Sequence, residues 1–395
     1  MPNRLKVFVV AGEPSGDRLG ASLIKGLKTN QDIDLRGVGG PLMEHAGLTS
    51  LFPMDQLAIM GLMEILPKIP MLLRRIRQTA EAALNFRPDV LVTIDSPDFC
   101  MRVAKRVRKV WPDVKVVHYV APSVWAWRPE RAAKMAQHVD HVLALLPFEP
   151  PYMIDAGMSC DFVGHPITEQ TQPSQSQIEI FKSNFPTKKL IAILPGSRRG
   201  EVKRMLPIYR EALVILKEMD ANLHAIIPTV RGSQKDVKLL TQNWPIPITY
   251  IEQSTSGDWD HKKQTAIAAA QGALVTSGTV SLEVAAANCP QIVAYQANSA
   301  TTKMIKQMAQ IDTASLINIL TQSGAVPEYL FEDATPENIA GGLAALLGPT
   351  SKAADQKILS AQAMALLRPP EPNAPARAIL RFLEEKMPDA PMSRL

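Results

Sequence analysis

Asp95 and Asp98 lie three residues apart in TIDSPDF, directly after the apolar run VLVTI (Val90–Ile94), with Pro97 stiffening the turn between them. A carboxylate at the end of such a run is either a general base for a hydroxyl or a cap for the following helix. Two acids without a neighbouring His or third acid make a poor metal site, and no metal is expected.

Four other loops carry polar groups of useful kinds. AGEPSGDRLG spaces Gly12, Gly16 and Gly20 by four, so it is not a GxGxxG dinucleotide fingerprint. Its Glu13, Ser15 and Asp17 serve either a bound ligand or the turn itself, with Ser15 or Asp17 as the helix N-cap. LPGSRRGEVKR follows the run LIAIL and opens a helix. There Gly196 permits close backbone approach, and Ser197, Arg198 and the free N–H groups favour a diphosphate. The same residues also suit a solvated basic helix start. It is not a Walker A loop, because GK[ST] is absent. TSGTVSLEVA places Ser277, Gly278 and Thr279 at a second helix start, a second anion site. Glu283 sits one turn in, either to accept from ribose hydroxyls or to close a capping box with Thr279 one place beyond the usual spacing. In APSVWAWRPER, Trp125 and Trp127 are core plugs or a contact surface.

Each of these loops needs a strand before it and a helix after it. KVFVV (Lys6–Val10) precedes the first loop, and Leu19, Leu23, Ile24 and Leu27 follow at helical spacing. VLVTI, VKVVHYV, HVLALL and CDFVG continue the alternation. After a polar, proline-punctuated stretch it restarts with LIAIL, LHAIIP, ITYI, GALVTS and QIVAY. This is the pattern of parallel sheets covered by helices on both faces. It predicts an α/β protein of two doubly wound, Rossmann-like domains facing a cleft: an N-terminal domain over 1–167, a linker over 168–188, a second domain over 189–350, and C-terminal crossing helices and tail over 351–395. In such sheets ligands bind beyond the carboxyl ends of the strands, where these loops lie.

The 395 residues exceed what one core usually serves. Charged residues make up 21% and the formal charge is +5, which suits anionic partners without choosing among them. Basic residues are dispersed and not interleaved with aromatics, against nucleic acid. Cys100, Cys160 and Cys289 are odd in number, far apart and form no CxxC pair, which reads as a reducing, cytoplasmic compartment. The run VFVVAG is too short for a signal segment, and no window is apolar enough for a membrane span, so a soluble or peripheral protein is expected.

In this order, AGEPSGD, MG-x-x-E at Met60–Glu64, IDSPDF, HYVAPSVWAW, VGHP at Val163–Pro166, LPGSR with Glu201, and TSGTVSLE resemble the lipid-A-disaccharide synthase family over essentially the whole chain. The resemblance implies an inverting glycosyltransferase of the two-domain GT-B type, joining UDP-2,3-diacylglucosamine to 2,3-diacylglucosamine 1-phosphate and needing no cofactor. It implies Asp98 as general base, Arg198 and Ser197 at the diphosphate, and Ser277, Gly278, Thr279, Glu283 and Asn318 on the nucleotide side. Glu13 and Ser15 would line the acceptor side. The family usually has Pro where this chain has Ile317, and often Asn where it has Cys100. The resemblance further implies a C-terminal helix that crosses to the other domain or to a partner subunit, as in a homodimer.

The stretch LMEILPKIPMLLRRIRQ (Leu62–Gln78) gains a meaning from acylated substrates. By periodicity alone it is a core helix, although two prolines interrupt it. With the resemblance it becomes a peripheral contact on the inner face of the inner membrane, through Leu66, Ile69, Leu72, Leu73, Arg74 and Arg75. Two other classes share the nucleotide loops: a different UDP-sugar enzyme, such as an epimerase, and a membrane-peripheral nucleotide-binding module without turnover.

Overall fold

The computed structural model of the chain describes residues 4–57, 66–253, 258–298, 302–303, 305–306, 313–348 and 351–385. The motif at Met60–Glu64 and the first four residues of the greasy stretch lie outside them, as does the side chain of Leu66. The chain forms two compact units, Met1–Pro166 with Leu367–Leu395, and Ile167–Leu366.

The first unit runs β1 (Leu5–Ala11), α1 (Pro14–Asn30), β2 (Ile33–Val38), α2 (Pro41–His45), α3 (Ile69–Phe86), β3 (Val90–Ile94), α4 (Pro97–Val110), β4 (Val116–Tyr119), α5 (Glu130–Ala136), β5 (His141–Ala144), α6 (Pro150–Asp155) and β6 (Ser159–Phe162). Its sheet is parallel, in the order β2-β1-β3-β4-β5-β6. Along β1, Phe8 and Val10 enter one apolar cluster while Val7, Val9 and Ala11 enter the other. A strand buried on both faces reads as a continuous apolar run, which is why β1 and β3 are plain in the sequence.

The second unit runs α7 (Gln175–Ser183), β7 (Lys189–Leu194), α8 (Arg199–Met219), β8 (Leu223–Thr229), α9 (Gln234–Thr241), β9 (Ile248–Glu252), α10 (Trp259–Ala269), β10 (Gly272–Val275), α11 (Val280–Ala286), β11 (Gln291–Tyr295), α12 (Leu316–Thr321), β12 (Glu328–Leu330), α13 (Pro336–Leu347) and α14 (Ser351–Leu366). Its parallel sheet is ordered β12-β11-β10-β7-β8-β9. The last helix, α15 (Ala374–Glu385), belongs to the first unit, where Ala376, Ile379 and Phe382 share a cluster with Leu23 and Ile24 of α1.

The domain division differs from expectation in two places. Residues 168–188 do not form a bare linker. Ser174 and Gln177 form a reciprocal capping box at the start of α7, and Ile178, Phe181 and Phe185 pack on the second unit's core. Residues 351–395 do not act as one block, since α14 stays with the second unit and the chain after Leu366 returns to the first. The VGHP segment receives that return. His165 N–H donates to the Leu367 carbonyl at 2.8 Å, and Gly164, at φ +85°, lies so close to Pro369 that a Cβ would stand 2.5 Å from its Cα.

Candidate active site

Each sheet has one point where the strand order reverses, and the candidate residues gather at these two points. In the first unit it falls between β1 and β3. Ala11 pairs with Ile94, so Gly12–Glu13 and Asp95–Ser96 leave the sheet side by side. The loops are tied to each other. Ser15 Oγ donates to Asp95 Oδ2 at 2.7 Å, and Ser96 Oγ donates to Glu13 Oε1 at 3.1 Å. A Cβ on Gly12 would meet Ser96 Oγ at 2.8 Å, so close approach requires glycine there. Asp95 and Ser96 both have left-handed backbones, at φ 52° and 41°, a strain of about 1–3 kcal/mol each that the cross-ties hold in place.

That strained turn delivers Asp98 into the first turn of α4, with its carboxylate exposed. Asp98 and Glu13 line a cavity of about 400 Å³ whose apolar wall includes Leu57, Ile69, Leu72, Leu73 and Ile76. Beneath it Thr93 Oγ1 and His118 Nδ1 are 2.8 Å apart, and burial pushes the His118 pKa down to about 4. Cys100 is buried with Sγ against the Val10 and Ile94 carbonyls, and burial pushes its thiol up.

Three expectations need correction here. Neither Ser15 nor Asp17 caps α1, whose N-cap is Glu13 followed by Pro14. The Asp17 carboxylate is buried and accepts the N–H groups of Gly40, Leu42 and Met43 at 2.9, 3.0 and 3.0 Å, holding the start of α2. Ser15 orients Asp95 and is not part of the cavity wall. Arg75 is not available to headgroups. It donates to Gln56 and Gln78 at 2.9 and 2.6 Å and stacks over Phe52. Arg74 and Leu73 are exposed, Leu72 is half-buried, and Ile69 is 39% exposed. The greasy stretch therefore does two jobs along one helix. Ile76, Ala80 and Ala83 of α3 are core, while its first turns face the cavity and solvent. Its prolines do not break it, because Pro70 sits in the first turn, where no N–H is missed, and Pro67 lies before the helix.

In the second unit the order reverses between β7 and β10. Leu194 pairs with Val275, so Gly196–Arg198 and Thr276–Thr279 emerge side by side. Gly196 and Gly278 have φ +94° and +142°. Ser197, Arg198, Gly278 and Thr279 are exposed and Ser277 half-buried. Arg198 is the N-cap residue of α8 and pairs with Glu201 at 2.9 Å, and Arg199 pairs with Asp236 at 2.7 Å. Positive charge and open N–H groups at the start of a 21-residue helix suit an anion. Buried Tyr209 braces it from below, its Oη 2.9 Å from Thr276 Oγ1.

Thr279 makes no side-chain cap, so no capping box with Glu283 exists; half-buried Glu283 instead accepts from buried Lys263 at 2.8 Å. Asn318, expected on the nucleotide side, has its side chain engaged within the protein. It is buried, donates to the Val326 carbonyl and to Glu328 at 2.9 and 2.7 Å, and accepts from Val326 N–H at 3.0 Å. Ile317 beside it is buried. A cavity of about 530 Å³, missed from sequence, opens after β11 and β12 between Gln296, Lys303, Lys306 and Phe331. Trp125 proves a core plug bonded to buried Glu149, whereas Trp127 is 37% exposed under Arg128 and Arg131.

A family model described as lipid-A-disaccharide synthetase matches residues 7–382. The chain belongs to the lipid-A-disaccharide synthase family. The synthase of Ruegeria pomeroyi is 48% identical over 347 residues, covering 87% of this chain and 86% of that protein. The synthase of Rhodospirillum centenum is 42% identical over 358 residues, covering 89% and 87%. Among solved structures, a S. aureus MnaA–UDP co-structure superposes with TM-score 0.64 at 14% identity, covering 98% of this chain and 99% of that one. A Neisseria meningitidis UDP-GlcNAc 2-epimerase bound to UDP-GlcNAc gives 0.62 at 13% identity, covering 97% and 100%. These last two speak for the GT-B-type α/β fold alone. Family membership makes the protein a glycosyltransferase of lipid A biosynthesis and separates it from the epimerases that share its architecture. Among the described residues no helix is long and apolar enough to cross a membrane.

Proposed function

We propose that the enzyme transfers a 2,3-diacylglucosamine unit from UDP to the 6-hydroxyl of 2,3-diacylglucosamine 1-phosphate by single displacement, with inversion. The observation that carries this is the exposed Asp98 carboxylate at a cavity walled by aliphatic side chains. Asp98 takes the proton of the 6-hydroxyl as its oxygen attacks the anomeric carbon, and the bond from that carbon to the diphosphate breaks. Arg198 and the N–H groups opening α8 stabilise the charge gathering on UDP, with Ser197, Ser277, Gly278 and Thr279 beside the diphosphate. Glu283, fixed by Lys263, faces the ribose. Glu13 orients the acceptor, and the aliphatic wall receives acyl chain.

With purified protein and both substrates in detergent and EDTA, disaccharide and UDP are expected from the wild type. Asp98→Ala should lower kcat by about 10²–10⁴-fold. Full turnover by Asp98→Ala would remove it as the base.

Exposed Ile69, Leu73 and Arg74 support peripheral docking on the cytoplasmic face of the inner membrane. An Ile69, Leu73→Ser variant should float less with anionic liposomes; flotation equal to wild type from a folded variant would count against this surface.

A further inference from the structure

Resting on that reading of the acceptor site, we infer that Arg102 is the subsite for the acceptor's 1-phosphate. Arg102 follows Asp98 by four residues on α4, and both line the same cavity. Side chains at this spacing share a helix face, with Cβ atoms about 5–6 Å apart. An aspartate and an arginine so placed commonly close on each other. Here they form no ion pair, and among the described residues nothing else pairs with either.

Neighbouring arginines behave differently. Arg75 is held by Gln56 and Gln78, Arg77 by Glu81 and Arg108 by Asp140. Among the described residues Arg102 is thus an uncommitted cation on the wall of an otherwise mostly apolar and acidic cavity. Its complement is an amphipathic anion.

The geometry agrees with the chemistry. A hexopyranose bears its 6-hydroxymethyl group and its anomeric substituent on the two carbons flanking the ring oxygen, a separation on the scale of one helical turn. With the 6-hydroxyl on Asp98, an anomeric phosphate falls within reach of the longer Arg102 side chain. A guanidinium offers that phosphomonoester two parallel donors, which an ammonium cannot reproduce.

The test measures binding of detergent-dispersed 2,3-diacylglucosamine 1-phosphate, and of the same lipid without phosphate, to full-length wild type, Arg102→Gln and Arg102→Lys. The wild type should prefer the phosphorylated lipid, and Arg102→Gln should lose about 10–100-fold in that preference. Binding of the phosphate-free lipid should hold, Arg102→Lys should recover part of the loss, and in turnover the deficit should fall on acceptor KM rather than on kcat. An Arg102→Gln variant that keeps the wild-type preference, or weakens both lipids equally, overturns the assignment. Asp98→Ala separates the two claims. It should lower kcat about 10²–10⁴-fold yet keep the phosphate preference. Full turnover there would refute the base, while a preference lost only in Arg102→Gln would still place the phosphate on Arg102.

Discussion

The two reversal points use the same topology and opposite local chemistry. At β1/β3, acidic side chains organise the loops: Asp95 and Glu13 each accept a serine hydroxyl from the facing loop, Asp17 holds three backbone N–H groups, and two non-glycine residues are left-handed. At β7/β10, glycines take the positive φ values, arginines gather at the mouth, and the brace is a single buried tyrosine. Cross-tied loops hold a carboxylate at one orientation, which is what removal of a proton would require. Open N–H groups and positive charge suit a diphosphate, and these loops carry both, with glycines where the backbone must turn.

If this division holds, damage at one point should spare the other. Asp17→Ala should cost the most, about 3 kcal/mol or more, because three N–H groups lose a charged acceptor in a buried place. Denaturant unfolding would show it, and UDP affinity of the folded fraction should match wild type. Gly196→Ala should raise donor KM about tenfold while leaving acceptor KM alone, since a Cβ at φ +94° costs about 1–2 kcal/mol and would stand 2.7 Å from Glu201 Oε2. Equal effects on both KM values would merge the sites. Tyr209→Phe should cost about 1 kcal/mol and weaken UDP binding slightly, without change at the acceptor.

A last effect, away from both points, concerns pH. Burial pushes Glu149 up to about 7 from 4.5, so the folded form favours the proton, and its contribution, full below 4.5, is lost as pH rises through about 7. Glu149→Gln should flatten that fall in melting temperature between about pH 4.5 and 7. His118, lowered from 6.5 to about 4, contributes in the opposite sense as pH falls through the same range and should persist in the variant.

Much of the site was legible because the relevant signals are local. Strand runs such as VLVTI end in loops whose glycines, hydroxyls and acids lie within a few residues. Arg102 was also within reach, four places after Asp98 on a helical pattern. What escaped was which polar groups were already engaged. Asn318 looked like a ligand residue and is bound to Val326 and Glu328. Arg75 looked like a headgroup contact and is pinned by Gln56, and Asp17 looked like a local cap and serves a helix 23 or more residues away.

The sequence by itself determined the alternation of strand and helix, the two-unit α/β plan, the family, and which loops hold the chemical groups, because periodicity and turn chemistry act over a few residues. Only the tertiary structure decided that Ala11 aligns with Ile94 and Leu194 with Val275, and so which loops meet. It also decided which charges remain free for a ligand. Register and long-range pairing are properties of packed elements, and no short stretch of chain contains them.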